Sequence, residues 1–360
     1  MWPNNRILEL FGIELPILQA PMASCVFSEM VVAVSEAGGL GSLPCALLSF
    51  EQMRSELQAI RRQTSRPIHV NFFCHTPPRV DATREKLWRQ RLQRYYEELG
   101  LDQNTQVAGT NRASFDEKMC DLVVEFHPEV VSFHFGLPEE KLVQRIRNTG
   151  AKIVSSATTV DEARWLEDRG CDAIIAQGYE AGGHRGMFLS EDLSTQAGTI
   201  ALVPQVADAV KVPVIAAGGI GDARGIVAAF ALGAAAVQIG TAYLLCPEAK
   251  VSPLYRGALK NTADAQTTLT NIFTGRPARA ILNRAIRELG PISENVPDFP
   301  LAATALGPLR SKAEAAGSSD FTPLWSGQAG RLGRELPAAE LTKQLAAEAL
   351  GKLRPLQTVA

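Results

Sequence analysis

The chain has 360 residues, of which 46% are hydrophobic and 21% are charged, and its formal net charge is −2. This composition is typical of a globular protein and excludes an intrinsically disordered chain. The 36 basic residues are balanced by 38 acidic ones, so we expect no binding to nucleic acid or to an anionic membrane. The length favours two domains or one large one.

Cysteine and histidine are spaced in a way that argues against metal and disulfide chemistry. The six cysteines form no CxxC pair, and the five histidines form no HExxH motif. We therefore expect reduced thiols, no metal site and a cytoplasmic location. Glu9 and Glu14 interrupt the apolar N-terminus, which argues against a signal peptide. Residues 225–246 carry no charge, but they are rich in Ala and Gly, and we expect a buried helix and a strand there rather than a membrane span.

Eight short apolar runs predict β-strands, with helix-period segments between them. These runs are 16–22, 39–44, 68–73, 130–136, 152–158, 173–178, 214–219 and 236–241. They lack polar alternation, which indicates strands buried on both faces of a parallel sheet. Their spacing, in steps of about 22 residues for most of the chain, favours a closed (β/α)₈ TIM barrel over a doubly wound sheet.

The two long gaps follow the third and sixth strands, so both insertions are expected on the C-terminal face of the barrel. The first insertion, about 75–125, is charged and predicts a helical flap, whereas the second, 178–198, is rich in Gly. We expect 1–241 to form the barrel and 242–360 to form an accessory region of helices and loops that packs on it and covers the substrate. A final helix is predicted near 338–353.

Two glycine-containing turns are candidates for a phosphate site. AAGGIGD (216–222) ends the seventh strand and opens a helix, and QIGTAYL (238–244) ends the eighth strand. In barrels of this type the loops after these two strands commonly bind phosphate through backbone N–H groups. Gly218, Gly219 and Gly221 allow the close approach that this needs, and Gly240 with Thr241 can supply further donors. The alternative is that these glycines only form tight turns. Neither turn is a GxGxxG motif after the first strand, so a Rossmann dinucleotide site is not indicated.

Polar side chains are expected around the mouth of the barrel. Met22, Asn71, His134, Ser156 and Gln177 lie at or near the ends of the first, third, fourth, fifth and sixth strands. A neutral mouth with amides and no carboxylate pair argues against glycosidase chemistry. It suits a planar heterocycle such as a flavin. Each amide taken alone is equally compatible with a structural role.

The remaining candidate catalytic residues each have a structural alternative. His134 is a candidate general base or substrate ligand, or else a buried structural histidine. His184 lies in the Gly-rich insertion and either covers a cofactor or makes a loop hydrogen bond. His75 likewise has either a functional or a structural role. Cys74 and Cys246 have no activating neighbour in the sequence and are interpreted as packing residues.

Several of these segments together carry a resemblance to a known family. They are QAPM (19–22), NFFCH (71–75), HFG (134–136), QGYEAGGHRG (177–186), AAGGI (216–220), QIGTAYLLCPEA (238–249), TGRPARAILNR (274–284) and LWSGQA (324–329). The combination resembles the nitronate monooxygenase family, formerly called 2-nitropropane dioxygenases, and within it the class I branch. The likeness runs from about 14 to 330.

The resemblance implies a (β/α)₈ barrel that holds FMN noncovalently and needs no metal. The residues at the family's FMN positions are Met22, Asn71, Gln177, Gly182, Gly218, Gly219, Gln238, Ile239, Gly240 and Thr241. His134 matches the family's catalytic histidine, and His184 and Tyr255 are expected to contact the substrate. The implied reaction oxidises small anionic alkyl nitronates, such as propionate 3-nitronate, with O₂. It proceeds by single-electron transfer through an anionic flavosemiquinone and yields a carbonyl compound and nitrite.

The sequence also departs from the family pattern and leaves alternatives open. Phe299 stands where a tyrosine-bearing segment is expected, and 101–115 contains no tyrosine. Lys312 is either a charge for the anionic substrate or a solvated helix lysine. One alternative function is an NAD(P)H-dependent flavin reductase for quinones or enoyl thioesters, and another is a noncatalytic flavin- or phosphate-binding barrel. The sequence leaves the oligomeric state open.

Overall fold

The computed structural model describes residues 1–102, 105, 112–261 and 266–357. The strands in this part of the chain are β1 Ile17–Gln19, β2 Gly41–Pro44, β3 Ile68–Phe73, β4 Val130–His134, β5 Lys152–Ala157, β6 Ala173–Gln177, β7 Gly183–His184, β8 Val214–Ala217, β9 Ala236–Ile239, β10 Thr267–Thr270 and β11 Ala278–Ile281. The helices are α1 Arg6–Phe11, α2 Ser28–Glu36, α3 Phe50–Gln63, α4 Ala82–Glu98, α5 Glu117–Phe126, α6 Glu140–Arg147, α7 Val160–Asp168, α8 Thr199–Ala209, α9 Ala223–Ala231, α10 Pro253–Asn261, α11 Arg284–Leu289, α12 Ala302–Ala315 and α13 Ala338–Gln357. Within these residues, no helix combines the length and the apolarity needed to cross a bilayer.

Eight parallel strands form the barrel in the order β1-β9-β8-β6-β5-β4-β3-β2. Two backbone hydrogen bonds close the ring between its ends, from Leu40 N–H to the Ile17 carbonyl and from Gln19 N–H to the Leu40 carbonyl, each at 3.0 Å. All eight predicted strands are present, so the prediction of a (β/α)₈ barrel is confirmed. The strands are buried along nearly their whole length, as their continuous apolar composition requires.

The helices around the barrel begin where the sequence supplies a capping side chain. Ser49 and Gln52 form a reciprocal capping box at the start of α3. Asp116, Thr159 and Asp222 cap α5, α7 and α9 by accepting backbone N–H bonds. The apolar faces of these helices pack on the outer surface of the strands and form the main core.

The last helix, α13, belongs to the outer ring of the barrel. It packs against α2, which follows the first barrel strand, and α9, which follows the seventh. Leu341 and Leu345 are buried in the main core, and Thr342 Oγ1 lies 2.7 Å from the Tyr243 hydroxyl. The helix therefore takes the place of the eighth helix of a (β/α)₈ barrel, about 100 residues after the eighth strand.

The inserted segments form a second body over the C-terminal ends of the strands. Helix α4, from the first insertion, packs on α12, and their apolar faces join β11, α11 and the 321–325 segment in a second core. The second insertion is not only a loop: β7 pairs with β11, which also pairs with β10 in a small antiparallel sheet. Both insertions thus lie on the predicted face. The division into a barrel at 1–241 and an accessory region at 242–360 stays a prediction.

Candidate functional site

A cavity of about 460 Å³ lies at the C-terminal ends of the barrel strands, beneath the second core. This volume lies within the range of about 300–1,000 Å³ that is usual for small-molecule and cofactor sites. Of the residues singled out in the sequence, those that line it are Met22, Asn71, His134, Ser156, Gln177, Gly182, His184, Gly218, Gly219, Gln238, Gly240, Thr241 and Tyr255. Ile239 instead points into the main core and is fully buried. The structure therefore brings the predicted residues together, while their roles stay predictions.

The glycine turn after β8 is held in a conformation that requires glycine. Gly218 and Gly219 have φ of 112° and 69°, which side-chain-bearing residues rarely adopt. Thr199 fixes the turn, because its hydroxyl donates to the Gly218 carbonyl at 2.9 Å. The Glu180 carboxylate in turn accepts the Thr199 backbone N–H. The turn leads directly into α9, so backbone N–H groups and a helix N-terminus meet at this end of the cavity.

Sheet register brings the polar side chains of neighbouring strands into contact. Asn71 on β3 pairs with Ser132 on β4, and its amide donates to the Ser132 hydroxyl at 2.7 Å. Gln238 on β9 lies beside Ala217 on β8, and its side-chain Oε1 is buried without a hydrogen-bond partner among the described residues. A buried amide oxygen of this kind is costly unless a donor from a bound molecule satisfies it.

Gln177 anchors the loop after β6 through both the nitrogen and the oxygen of its side-chain amide. The Gln177 amide donates to the His184 carbonyl at 3.0 Å and accepts the Gly186 N–H at 2.8 Å. Arg185 is fully buried, and its guanidinium donates to the carbonyls of Gln177 and Gly178 at 2.8 and 2.7 Å. This network fixes residues 177–186 against the end of β4.

His134, the last residue of β4, has both ring nitrogens engaged. Nε2 lies 3.1 Å from the His184 carbonyl oxygen, and Nδ1 lies 3.1 Å from Ser156 Oγ. Burial lowers the pKa of His134 to about 4; the nearby guanidinium groups of Arg276 and Arg185 lower it further, against the effect of the His184 carbonyl. The ring is therefore neutral at pH 7.

His184 lies in an aromatic cluster that closes one side of the cavity. Its ring centroid lies 5.4 Å from those of Phe299 and Trp325 and 6.1 Å from that of Phe73. Its Nε2 lies 2.9 Å from Thr274 Oγ1. Burial, together with nearby cationic groups, holds the pKa of His184 well below its usual value. Phe299, which replaces an expected tyrosine, packs against His184 and Phe73 and does not itself line the cavity.

The charge of the cavity is positive. Arg112, Lys250 and Arg310 line it, and no Asp or Glu does so in the described part of the chain. Arg310 is bonded to Glu314 and Lys250 to Glu29. Arg112 Nη1, by contrast, is buried without a partner among the described residues.

Burial and the nearby Arg310 lower the pKa of Arg112 to about 10, so its guanidinium is still charged at pH 7. Lys312, which the sequence suggested as a positive charge for the anionic substrate, is exposed on α12, two residues beyond Arg310. Sequence reasoning missed Arg112 and Arg310 because neither lies in a motif.

Tyr255 is buried on α10, and its hydroxyl donates to the Trp325 backbone carbonyl. Arg276, which the sequence did not single out, lies 4.1 Å above the Phe135 ring and donates to the Met187 carbonyl. Its guanidinium thereby braces the β6 loop next to His134.

A (β/α)₈ barrel with a cavity at the C-terminal ends of its strands, lined by glycines, amides and a histidine, has the architecture of a barrel enzyme. A nitronate monooxygenase family model matches residues 4–348. A nitronate monooxygenase of Pseudomonas aeruginosa is 41% identical over 350 residues, which cover 97% of this chain and 100% of that protein. The chain therefore belongs to the nitronate monooxygenase family and is an oxidoreductase.

Solved structures agree with this assignment. A nitroalkane oxidase from Streptomyces ansochromogenes superposes with a TM-score of 0.88 at 37% identity, over 98% of this chain and 99% of that one. FabK from Thermotoga maritima superposes with a TM-score of 0.75 at 28% identity, over 99% of both chains. The resemblance inferred from the motifs is thereby confirmed over nearly the whole chain.

Proposed function

We propose that this protein oxidises alkyl nitronates such as propionate 3-nitronate with O₂, using bound FMN, and releases a carbonyl compound and nitrite. The observation that carries the proposal is a cavity lined by three cationic side chains and, within the described residues, by no carboxylate. Such a cavity favours a small anion over a neutral or cationic substrate. Family membership supports the reaction class.

The residues present fit FMN. Its phosphate would be held by the N–H groups of the turns that contain Gly218, Gly219, Gly240 and Thr241. Asn71, Gln177 and Gln238 would face the ring system and the ribityl chain, and the unsatisfied Oε1 of Gln238 calls for a donor from such a ligand. FMN would supply the electron acceptor that the side chains themselves do not provide.

The side chains bind and orient the nitronate and shield it from water. Arg112 offers to the anionic end of the substrate a guanidinium whose Nη1 has no hydrogen-bond partner among the described residues. The rings of Phe73 and Trp325 line the cavity, and Phe299 packs against Phe73. Apolar rings at these positions exclude water, which strengthens the attraction between cation and anion. The His134 ring is neutral at pH 7 and therefore adds no charge to the site.

The test is turnover by the purified holoenzyme under air. Propionate 3-nitronate should release nitrite while O₂ is consumed, with neither NADH nor NADPH required. In a separate anaerobic sample, NADH and NADPH should leave the flavin spectrum unchanged. Bleaching of the flavin by a nicotinamide, without nitrite release from the nitronate, would contradict the proposal and indicate the flavin reductase. A protein that binds FMN but reacts with neither substrate would indicate a binding barrel.

A further inference from the structure

Arg112 and the glycine turns lie on opposite sides of the cavity. The barrel order places β3 and β8 four strands apart in a ring of eight, so their ends face each other across the cavity. The turn that contains Gly218 and Gly219 follows β8. Arg112 belongs to the β3 side, because the nearby Phe115 N–H donates to the carbonyl of Phe73, the last residue of β3, at 2.8 Å. Its charge therefore lies across the cavity from the proposed phosphate position.

Aromatic packing keeps the Arg112 guanidinium on this side. Its Cζ lies 5.7 Å from the centre of the Phe299 ring, and Phe299 packs against the rings of Phe73 and His75 at centroid distances of 6.1 and 4.9 Å. A guanidinium next to an aromatic ring is attracted to it and still presents a planar fork of donors. Arg112 lines the cavity, and its Nη1 has no hydrogen-bond partner among the described residues. The fork is thus available to an anion in the cavity.

Arg112 differs from the other two cationic side chains that line the cavity in the described part of the chain. Arg310 Nε lies 2.8 Å from the Glu314 carboxylate, and Lys250 Nζ lies 3.1 Å from that of Glu29. Burial, together with the nearby Arg310, lowers the pKa of Arg112 to about 10, so its guanidinium is charged at pH 7. An anion bound at Arg112 would offset both the burial and the repulsion.

The segment that supplies Arg112 departs from the family pattern. It lies within 101–115, where a tyrosine is expected and none is present. A tyrosine hydroxyl is a neutral donor, whereas a guanidinium is a charged donor whose fork matches the two oxygens of a carboxylate. In this chain the flap therefore contributes a cation to the cavity wall in place of a neutral phenol.

Propionate 3-nitronate carries a negative charge at each end, and only one of the two changes during the reaction. The nitronate loses an electron, so its negative charge falls as it is oxidised. A guanidinium bonded to the nitronate would stabilise the reactant more than the transition state and would slow the oxidation. The carboxylate keeps its charge throughout. A guanidinium bonded to the carboxylate binds reactant and transition state equally well and lowers KM without lowering kcat.

We propose that Arg112 binds a carboxylate at the far end of the substrate, so that this enzyme prefers nitronates of carboxylic acids to simple alkyl nitronates. The inference rests on the proposed function and narrows its substrate class. The carboxylate accepts hydrogen bonds from the Arg112 guanidinium, and Arg310 adds positive charge nearby. Arg112 is thus a specificity-determining residue that binds the substrate at a group that does not react.

The test compares two nitronates of similar length in the FMN-loaded enzyme. In butane 1-nitronate an ethyl group stands in place of the carboxylate of propionate 3-nitronate, so the tail is neutral. We expect the wild type to have a kcat/KM for propionate 3-nitronate about 10- to 100-fold higher than for butane 1-nitronate, the usual effect of a hydrogen bond to a charged group. The difference should lie in KM.

Arg112→Gln should remove this preference. Its kcat/KM for propionate 3-nitronate should fall about 10- to 100-fold through KM, and that for butane 1-nitronate should change less than about threefold. The ratio of two values measured in one preparation does not depend on how much of the variant is folded or loaded with flavin.

Lys312→Gln is the matched control. Lys312 is exposed on α12 and does not line the cavity, and its replacement by Gln removes the same unit of charge. This variant should keep the wild-type ratio of the two substrates. Loss of the ratio in Lys312→Gln as well would attribute the preference to the overall charge of the protein and overturn the role of Arg112.

Two further results would overturn the inference while leaving the proposed function intact. One is an equal kcat/KM for the two nitronates in the wild type. The other is a wild-type ratio in Arg112→Gln, whether through equal losses with both substrates or through no loss with either. Failure of the wild type to oxidise either nitronate would instead refute the proposed function itself.

Discussion

Gly219 combines a constrained backbone with the position that we assign to the phosphate. Its φ of 69° disfavours any side chain, and a Cβ there would lie 3.3 Å from Glu180 Cβ. Gly219→Asp would also place a carboxylate beside the phosphate, and the two negative charges would repel. We expect the variant to purify without flavin. The measurement is the ratio of flavin absorbance to protein absorbance after purification.

Gly150→Asp separates backbone strain from loss of the phosphate site. Gly150 has a φ of 88°, nothing lies within 4 Å of its Cβ position, and it precedes β5 away from the cavity. The backbone strain of Gly150→Asp is therefore similar to that of Gly219→Asp, while its flavin content should equal that of the wild type. A fully flavinated Gly219→Asp protein would show that the phosphate lies elsewhere.

Individual site residues were predictable from sequence where they end a strand. Asn71, His134, Ser156 and Gln177 could be identified because parallel strands deliver their last residues to one face. The charged residues at the site could not be predicted, because Arg112 lies within the first insertion and Arg310 lies in the middle of α12. Only tertiary packing brings residues so far apart in sequence to one cavity.

At the scale of elements, local pattern predicted the strands and long-range packing decided the rest. The apolar runs specify β1 to β6, β8 and β9, because a strand buried on both faces must be apolar throughout. The pairing of β7 with β11 has no local signal, since a two-residue strand lies in a Gly-rich insertion. The sequence likewise shows that α13 is a helix but not that it completes the barrel.

The position of α13 predicts that it stabilises the barrel. Leu345 is fully buried on this helix and belongs to the main core. Leu345→Ala should lower the free energy of unfolding by about 2–5 kcal/mol, as is usual for a buried leucine that leaves a cavity. Lys343, two residues earlier, is exposed, and Lys343→Ala should change it by less than about 0.5 kcal/mol. Denaturant unfolding of both variants measures the difference, and equal stabilities would show that α13 is dispensable.

For the whole molecule, two apolar cores lie on either side of the candidate site. The main core surrounds the barrel strands, and the second core joins α4, α11 and α12 above their C-terminal ends. The cavity between them is bounded by the barrel on one side and by the ring of Trp325 on the other. Several histidines in and below this cavity are buried, and their burial lowers the stability of the folded protein at acid pH.

His69 shows the sign of that acid effect. It is fully buried in the barrel, and burial lowers its pKa to about 3 from 6.5. Between these values the unfolded chain binds a proton that the folded protein does not, so the free energy of unfolding falls as the pH falls. The loss from this one group is roughly 2 kcal/mol between pH 6.5 and pH 5, at about 1.4 kcal/mol per unit.

His69→Gln removes this titrating group. Between pH 6.5 and pH 5 the unfolding free energy of the variant should therefore fall by roughly 2 kcal/mol less than that of the wild type. Urea unfolding at pH 6.5 and pH 5 gives the two values for each protein. The remaining acid sensitivity should persist, because burial also lowers the pKa of His75 and of His134 to about 4. Replacing the exposed His127 by Asn, which tolerates its positive φ, should leave the wild-type slope unchanged. If His69→Gln keeps the full wild-type slope, the buried imidazole is protonated in the folded protein, and Ser42 Oγ is then the acceptor of its Nδ1 proton.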